Sequence, residues 1–225
     1  MNRITVLLAE DHEIVREGFR CLLRHERDIE VIGEAETGRQ AVQLTRKLRP
    51  AVVVMDIAMP LLNGLEATRQ IRKDCPDTKV LILSAHSDDA YVEQVEALGA
   101  AGFLLKQTSS HVLAAAIREI QKGNTFYSPL ISKRLQARSR KLTDRGTSSK
   151  TASNRLSSRE VEVLQLIAEG KPNKQVAAEL GVSFKTIDKH RQHLMAKLNI
   201  HDTAGLTRYA ISAGIIESSV QVTIL

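Results

Sequence analysis

The chain has 225 residues, 43 % of them hydrophobic and 26 % charged, so it is long enough for two domains and too apolar for wholesale disorder. No apolar run approaches the roughly 20 residues of a membrane-spanning helix, and the N-terminus leads into a strand-like run, which predicts a cytoplasmic protein without a membrane partner. Residues 1–128 contain 16 Lys+Arg and 18 Asp+Glu, whereas residues 129–225 contain 16 and 8, so a polyanionic partner is expected for the second half.

The first 123 residues alternate short apolar runs with amphipathic stretches of helical length. Runs such as Val80–Leu83 contain no polar alternation, so both of their faces should be buried, as in a parallel sheet. The predicted strands are 4–9, 29–33, 52–55, 80–83 and 102–105, and the predicted helices lie near 13–26, 38–48, 64–74, 89–98 and 109–122. This order predicts an α/β doubly wound domain with a five-stranded parallel sheet, assigned to residues 1–127.

Composition changes in the next segment, residues 128–155. We predict a linker there, which could begin with a helix over 128–138, because residues 138–154 are rich in Ser, Thr, Lys and Arg and almost free of apolar side chains. Eight basic residues and one acidic residue lie between Ser132 and Arg155. Since most of the basic excess belongs to this linker, bulk charge alone is weak evidence for a nucleic-acid partner.

Residues 156–225 are expected to form a small all-α domain. Ser157 and Glu160 have the spacing of a capping box, which marks the start of a helix. The predicted helices run from there to 170, from 173 to 180, from 183 to about 199 and from 202 to about 214. The tight turn at 181–183 between the second and third helices is the plan of a helix-turn-helix.

Three acidic residues are expected at one edge of the predicted sheet. Glu10 and Asp11 follow the first strand and Asp56 ends the third, and those strand ends are neighbours at the crevice of a doubly wound sheet. Three carboxylates repel one another unless a cation is present. Oxygen-only ligands with room for water suit Mg²⁺ better than a soft metal.

The same edge should contain a hydroxyl and a lysine, because Ser84 ends the fourth strand and Lys106 follows the fifth. The set suits phosphoryl transfer: Asp56 would attack, Mg²⁺ and Lys106 would neutralise the phosphoryl oxygens, and Ser84 would donate a hydrogen bond afterwards. The alternative is that acids at strand ends merely solvate the sheet edge.

These residues, in their order and spacing, resemble the receiver domain of response regulators, which implies a flavodoxin-like fold. The segments that carry the resemblance are Glu10-Asp11-His12, Asp56 to Pro60 with Gly64, Leu83-Ser84-Ala85 and Gly102 to Lys106. The resemblance implies that Asp56 is the phosphoacceptor and that the Mg²⁺ ligands are Glu10, Asp11, Asp56 and the backbone carbonyl of Ala58. It also implies that Lys106 contacts the phosphate and that Ser84 and Phe103 form the switch.

Three details of this domain stay open. Phe103 could equally be a plain core residue. Gln107 stands where many receivers have a proline with a cis peptide bond, and a cis bond before any other residue costs about 3 kcal/mol. His86 could tune the lifetime of the acyl phosphate, or it could be an exposed loop residue.

Cys21 and Cys75 are expected to be reduced thiols without a metal or redox role.

The third predicted helix of the second domain has two distinct faces. On a helical wheel Ile187, Leu194 and Leu198 share one direction, with Arg191 near the edge of that stripe. The opposite face has Lys185, Lys189, Gln192 and Ala196. Lys and Gln can reach base edges and cations can bind phosphates. The alternative is that this face is only the solvated side of an amphipathic helix.

Residues 156–190 resemble a LuxR-type helix-turn-helix, on Leu156 to Leu164, Asn173 to Ala177 and Val182 to His190. Together with the receiver, the chain is similar to NarL/FixJ-type response regulators. The resemblance implies that Lys185, Asp188, Lys189 and Gln192 lie near base edges. It implies that Thr186, His190, Arg191 and Lys197 lie at or near the phosphates.

The function implied by the whole chain is a DNA-binding transcriptional regulator, phosphorylated on Asp56 by a partner sensor histidine kinase. Double-stranded DNA is the expected ligand, and a homodimer is expected after phosphorylation or on DNA, with Ala204, Leu206 and Tyr209 as candidate contacts or core residues. An enzyme is the first alternative, but the chain has no phosphate-binding glycine motif. A receiver that does not control DNA binding and an interaction module that uses the basic linker are the others.

Overall fold

The computed structural model describes residues 3–85, 89–107, 110–128, 131 and 156–216. The chain divides into two compact units, Met1–Ser149 and Lys150–Leu225. The predicted boundaries at 127/128 and 155/156 remain predictions. His86 and, apart from residues 128 and 131, the predicted linker with its helix lie outside the described residues. No helix in the described ranges is long and apolar enough to cross a membrane.

The first unit is a parallel sheet with helices between its strands. The strands are β1 (Ile4–Ala9), β2 (Ile29–Ala35), β3 (Val52–Asp56), β4 (Lys79–Ser84), β5 (Gly102–Leu105) and β6 (Phe126–Tyr127). The helices are α1 (Glu13–Arg24), α2 (Gly38–Leu48), α3 (Gly64–Asp74), α4 (Asp89–Leu98) and α5 (Ser110–Gln121). The strand order is β2-β1-β3-β4-β5-β6, which confirms the doubly wound, flavodoxin-like fold.

The predicted number of five strands was wrong by one. β6 pairs in parallel with β5, so that Phe103 lies opposite Tyr127 in the register. Two residues are too few to show a period in the sequence. Backbone pairing with β5 is therefore what defines this strand.

Apolar cores lie on both faces of the sheet. One core includes Val53, Met55 and Phe103, and the other includes Val54, Leu81 and Ile117. All five residues of β3 are buried, as the absence of polar alternation predicted. This burial anchors the strand that ends at Asp56. Cys75 is buried and Cys21 is exposed, and both are free thiols.

The second unit consists of four helices within its described residues. They are α6 (Ser158–Ala168), α7 (Asn173–Glu179), α8 (Phe184–Leu198) and α9 (Thr203–Ser212). Ser157 accepts from the backbone N–H of Glu160, and the Glu160 side chain accepts from the backbone N–H of Ser157, which is the predicted capping box. Gly181, at a φ of +62°, follows the end of α7 and begins the turn to α8, and Ser183 caps α8.

Candidate functional site

The acidic residues of the first unit meet at the carboxyl ends of β1 and β3. One ligand atom from each of Glu10, Asp11, His12 and Asp56 lies within 4.8 Å of the others. Parallel pairing of β1 with β3 places these ends side by side, because Ala9 is opposite Met55 in the register. The predicted convergence of Glu10, Asp11 and Asp56 is thus present in the structure. His12 joins them, although the sequence analysis assigned it no role.

Lys106 connects two of the carboxylates. Its Nζ lies 2.9 Å from Asp56 Oδ2 and 2.9 Å from Glu10 Oε2, and it donates to Glu10 Oε1 at 3.0 Å. The backbone N–H of Lys106 donates to the Ser84 carbonyl at 2.8 Å, which ties the ends of β5 and β4 together. The lysine is therefore held over the acid cluster by both its backbone and its side chain.

The surroundings of Asp56 disfavour the ionised form of its carboxyl group. The residue is only 2 % exposed. Burial, together with the neighbouring Glu10 carboxylate, raises the pKa of Asp56 to about 6 even though Lys106 favours the charged form. Burial alone would lower the pKa of Lys106, but its contacts with Asp56 and Glu10 outweigh burial and raise that pKa. The cluster thus has more negative charge than one lysine compensates.

Three buried carboxylate oxygens in this cluster have no hydrogen-bond partner among the described residues: Glu10 Oε2, Asp11 Oδ1 and Asp56 Oδ2. Lys106 and His12 lie within ion-pair distance of these oxygens. Unsatisfied buried oxygens are costly. Oxygen donors of this kind fit a hard divalent cation such as Mg²⁺.

The loop after β3 is held tightly against the strand end. A Cβ on Gly64 would lie 1.8 Å from the carbonyl oxygen of Asp56, so only glycine allows α3 to begin this close to the site. Asn63 caps α3 by accepting from the backbone N–H of Glu66 at 2.8 Å. Ala58, whose backbone carbonyl is a predicted Mg²⁺ ligand, lies in this short loop between β3 and α3.

The remaining predicted residues of the receiver lie near the same edge or in the core. Ser84 is buried at the end of β4, one residue beyond Leu83, which pairs with Asp56. Phe103 is fully buried in β5, as a core residue would be, and its switching role stays a prediction. Gln107 is exposed, and the described residues contain no cis peptide bond.

Arg16 is a further residue at this edge that the sequence analysis did not identify. It lies at the end of the first turn of α1 and is buried, with 7 % of its surface exposed. Its Nη1 donates to the backbone carbonyl of Glu10 at 2.7 Å. Helical periodicity could not reveal it, because arginine side chains are mostly solvent-exposed in proteins.

The exposed face of α8 in the second unit has the predicted composition. Ile187 and Leu194 are fully buried, whereas Lys185, Lys189 and Gln192 are exposed. Leu198, which was expected in the packed stripe, is half-buried. Gln192 donates to Asp188 Oδ2 at 3.2 Å, so the acid on this face is held by its neighbour one turn away. Phe184, not identified from the sequence, is 57 % exposed at the start of the helix.

The predicted phosphate-contacting residues are partly engaged within the second unit. Lys197 donates to Glu160 Oε2 at 2.8 Å, and Arg191 donates to Asn173 Oδ1 at 3.2 Å and to Thr203. Thr186 and His190 are half-buried. Arg191 therefore links α8 to the starts of α7 and α9. Leu206 is fully buried and belongs to the core, which leaves exposed Ala204 and half-buried Tyr209 as surface candidates.

The chain is similar to known proteins over both units. Residues 6–118 match the response regulator receiver domain, and residues 154–210 match the bacterial regulatory proteins of the luxR family. The chain is 37 % identical to the oxygen regulatory protein NreC of Staphylococcus epidermidis, over 94 % of this chain and 99 % of NreC. It is 36 % identical to the transcriptional regulatory protein DegU of Brevibacillus brevis, over 89 % and 90 % of the two chains.

Solved structures give the same result. The RcsB response regulator of Salmonella typhimurium is 29 % identical, with a TM-score of 0.62 over 95 % of this chain and 99 % of that chain. RcsB is also known in a complex with DNA, at 29 % identity and a TM-score of 0.57 over 94 % and 99 % of the two chains. The chain belongs to the response regulators that join a receiver domain to a LuxR-type helix-turn-helix, and it is a DNA-binding transcriptional regulator of a two-component system.

Proposed function

We propose that Asp56 is the phosphoacceptor of this regulator and that it receives the phosphoryl group from a sensor histidine kinase. A carboxylate oxygen of Asp56 would form a bond to phosphorus while the phosphorus–nitrogen bond of the phosphohistidine breaks, and the imidazole leaves with a proton from solvent. The observation that carries the proposal is the position of Lys106, 2.9 Å from Asp56 Oδ2 within a cluster of buried acids. A cation held there is placed for the charge that develops on phosphoryl oxygens.

The acid cluster would bind Mg²⁺ through Glu10, Asp11, Asp56 and the carbonyl of Ala58. The buried oxygens without hydrogen-bond partners support this assignment. When bound, Mg²⁺ supplies positive charge that neutralises the phosphoryl oxygens. Glu10 and Asp11 then act as fixed ligands, and Lys106 keeps the Asp56 carboxylate oriented within the crevice.

Phosphorylation would act on the rest of the molecule through the ends of β4 and β5. A phosphoryl group on Asp56 adds charge and strong acceptors next to Ser84, whose hydroxyl would donate to it. Ser84 and Phe103 would thereby bias an existing equilibrium between two states of the receiver. The expected output is a homodimer, in which two DNA-binding domains read half-sites about one DNA turn apart.

The DNA-reading surface would be the exposed face of α8. Lys185, Lys189 and Gln192 would approach base edges together with Asp188, and Thr186, His190, Arg191 and Lys197 would lie at or near phosphates. The exposure of both lysines supports their part of this assignment. Arg191 and Lys197 would first have to exchange or share their partners within the domain.

The phosphoacceptor is tested by treating the full chain with acetyl phosphate and Mg²⁺ and measuring its intact mass. We expect one phosphoryl group on the wild-type protein and none on Asp56→Asn. Asp77→Asn is the matched control, because Asp77 is an exposed acid of the same domain outside the cluster. Equal phosphorylation of Asp56→Asn and wild type would refute the assignment.

A further inference from the structure

A buried cation lies beside the acid cluster and takes no part in the chemistry proposed above. Arg16 of α1 donates from Nη1 to the backbone carbonyl of Glu10 at 2.7 Å, from Nε to Glu34 Oε2 at 3.2 Å and from Nη2 to Glu36 Oε1 at 2.9 Å. One guanidinium therefore connects the loop after β1 with the end of β2 and the residue that follows it. A buried arginine needs such partners, because an unpaired charge in the interior is costly.

The hydrogen bond from Arg16 to Glu10 is made to the carbonyl of the peptide that joins Glu10 to Asp11. Side chains of successive residues in a continuing strand point to opposite faces. Glu10 and Asp11 nevertheless both place carboxylate oxygens within 4.8 Å of an oxygen of Asp56. The chain therefore leaves the strand geometry at the Glu10–Asp11 peptide, after β1 has ended at Ala9. The carbonyl of a peptide that has left a strand needs another donor, and Arg16 is that donor.

The two carboxylates of Glu34 and Glu36 fix the donor in turn. They hold the Nε and Nη2 edges of the guanidinium, so the remaining Nη1 is aimed at Glu10. The planar fork of arginine suits this arrangement, whereas a lysine ammonium has the same charge without the fork. The neighbouring Arg20 also contacts Glu34, at 3.4 Å, but its other partner is Glu17 at 3.1 Å.

We propose that Arg16 is a positioning residue of the metal site: it holds the Glu10–Asp11 peptide so that both carboxylates face Asp56, and Mg²⁺ affinity depends on this bond. The inference rests on the proposed function, since it assumes that the acid cluster binds Mg²⁺. Removing a group that orients a metal ligand without itself contacting the metal typically weakens metal affinity by about 10- to 100-fold. Arg16 would be such a group, acting through a backbone carbonyl.

The test is a calorimetric titration of the unphosphorylated full chain with Mg²⁺, repeated with Mn²⁺. We expect Arg16→Met to weaken binding by about 10- to 100-fold. Arg16→Lys should fall between Arg16→Met and wild type, and Glu36→Gln should weaken binding in the same direction by a smaller factor. Arg20→Met is the matched control and should leave the affinity unchanged, because Arg20 lies on the same helix and shares Glu34 but does not contact Glu10.

Thermal unfolding of the metal-free variants separates positioning from stability. A purely structural role would lower the melting temperature of Arg16→Met and leave the Mg²⁺ affinity of the folded protein equal to that of Arg20→Met, which would overturn the inference. If Arg16→Met does not fold, Arg16→Lys and Glu36→Gln decide, and wild-type affinity in both would overturn it. Absence of Mg²⁺ binding in the wild type would instead refute the proposed metal site.

Discussion

The carboxylate of Asp56 is surrounded by groups with opposite effects on its charge. Lys106 favours the ionised form, while burial and the Glu10 carboxylate favour the protonated form and set the pKa at about 6. A cation in the cluster would add to the effect of Lys106 and keep the Asp56 carboxylate ionised. The excess of acid over base at this site would thus make the proposed phosphorylation depend on a metal.

The raised pKa of Asp56 predicts how stability depends on pH without metal. The folded-state pKa of about 6 lies above the ordinary value of 3.8, so the folded state binds more protons and loses stability as pH rises from about 4 through about 6. Asp56→Asn cannot ionise and still leaves Glu10 as a partner for Lys106. We expect the variant to be more stable than wild type at pH 8 by about 3 kcal/mol or less, with little gain near pH 4.

Urea unfolding in the presence of a chelator, at pH 4.5 to 8, measures this difference. Asp77→Asn should follow the wild-type curve, because Asp77 is exposed. A wild-type protein that is more stable than Asp56→Asn at pH 8 would contradict the prediction.

Two lysines of α8 should determine DNA affinity. Lys185→Ala and Lys189→Ala should each weaken binding to a DNA duplex that the wild type selects from a random pool. Loss of a base contact should cost about 1–3 kcal/mol of binding free energy, and loss of a phosphate contact should make the salt dependence of binding shallower. Lys73→Ala, an exposed lysine of the receiver, is the control and should bind like wild type. Unchanged DNA affinity in both α8 variants would contradict this prediction and would indicate that the basic linker binds the DNA.

Residues at strand ends are the ones whose positions could best be predicted from the sequence. The positions of Glu10, Asp11, Asp56 and Lys106 follow from which strands are parallel and where they end, and strand order can be anticipated from general rules. Arg16 and His12 depend instead on the path of one loop after β1. The direction of a side chain there is set by contacts with β2 and with the acids, which no periodicity in the sequence reports.

Among the elements of the fold, the junction of β3 and α3 positions Asp56, the proposed phosphoacceptor. A methyl group at position 64 would collide with the carbonyl of Asp56, which is backbone and cannot rotate away. We expect Gly64→Ala to destabilise the receiver by about 1–3 kcal/mol through overpacking and to slow phosphorylation. Gly18→Ala is the control: Gly18 is an exposed residue of α1 whose Cβ would meet no atom within 4 Å, so the change should stabilise by about 0.5–1 kcal/mol.

Denaturant unfolding of both variants, followed by phosphorylation with acetyl phosphate, tests this junction. If Gly64→Ala is as stable and as reactive as Gly18→Ala, then α3 does not fix the position of Asp56.

The helices and strands themselves illustrate which signals a sequence contains. β1, β5, α2, α3 and α4 have the predicted bounds, because a largely apolar run marks each of these strands and an amphipathic stretch marks each of these helices. β2, β3 and β4 extend one or two residues beyond their predicted ranges, where polar or small residues are paired. β6 was missed because its two residues are defined only by their partner strand.

At the scale of the whole molecule, the two units divide the chemistry between them. The acid cluster belongs to residues 1–128, where acids slightly outnumber bases, and the exposed lysines of α8 belong to the basic half. In the proposed function, a phosphoryl group and DNA would therefore meet different surfaces. Phosphorylation would then control DNA binding by altering an equilibrium that both units share.

Control of DNA binding by Asp56 is tested most directly by a DNA-binding titration of the full chain before and after treatment with acetyl phosphate and Mg²⁺, with Asp56→Ala in parallel. We expect treatment to tighten DNA binding by the wild type and to leave Asp56→Ala unchanged. Equal binding in all four samples would contradict this expectation, because DNA recognition would then be independent of the receiver.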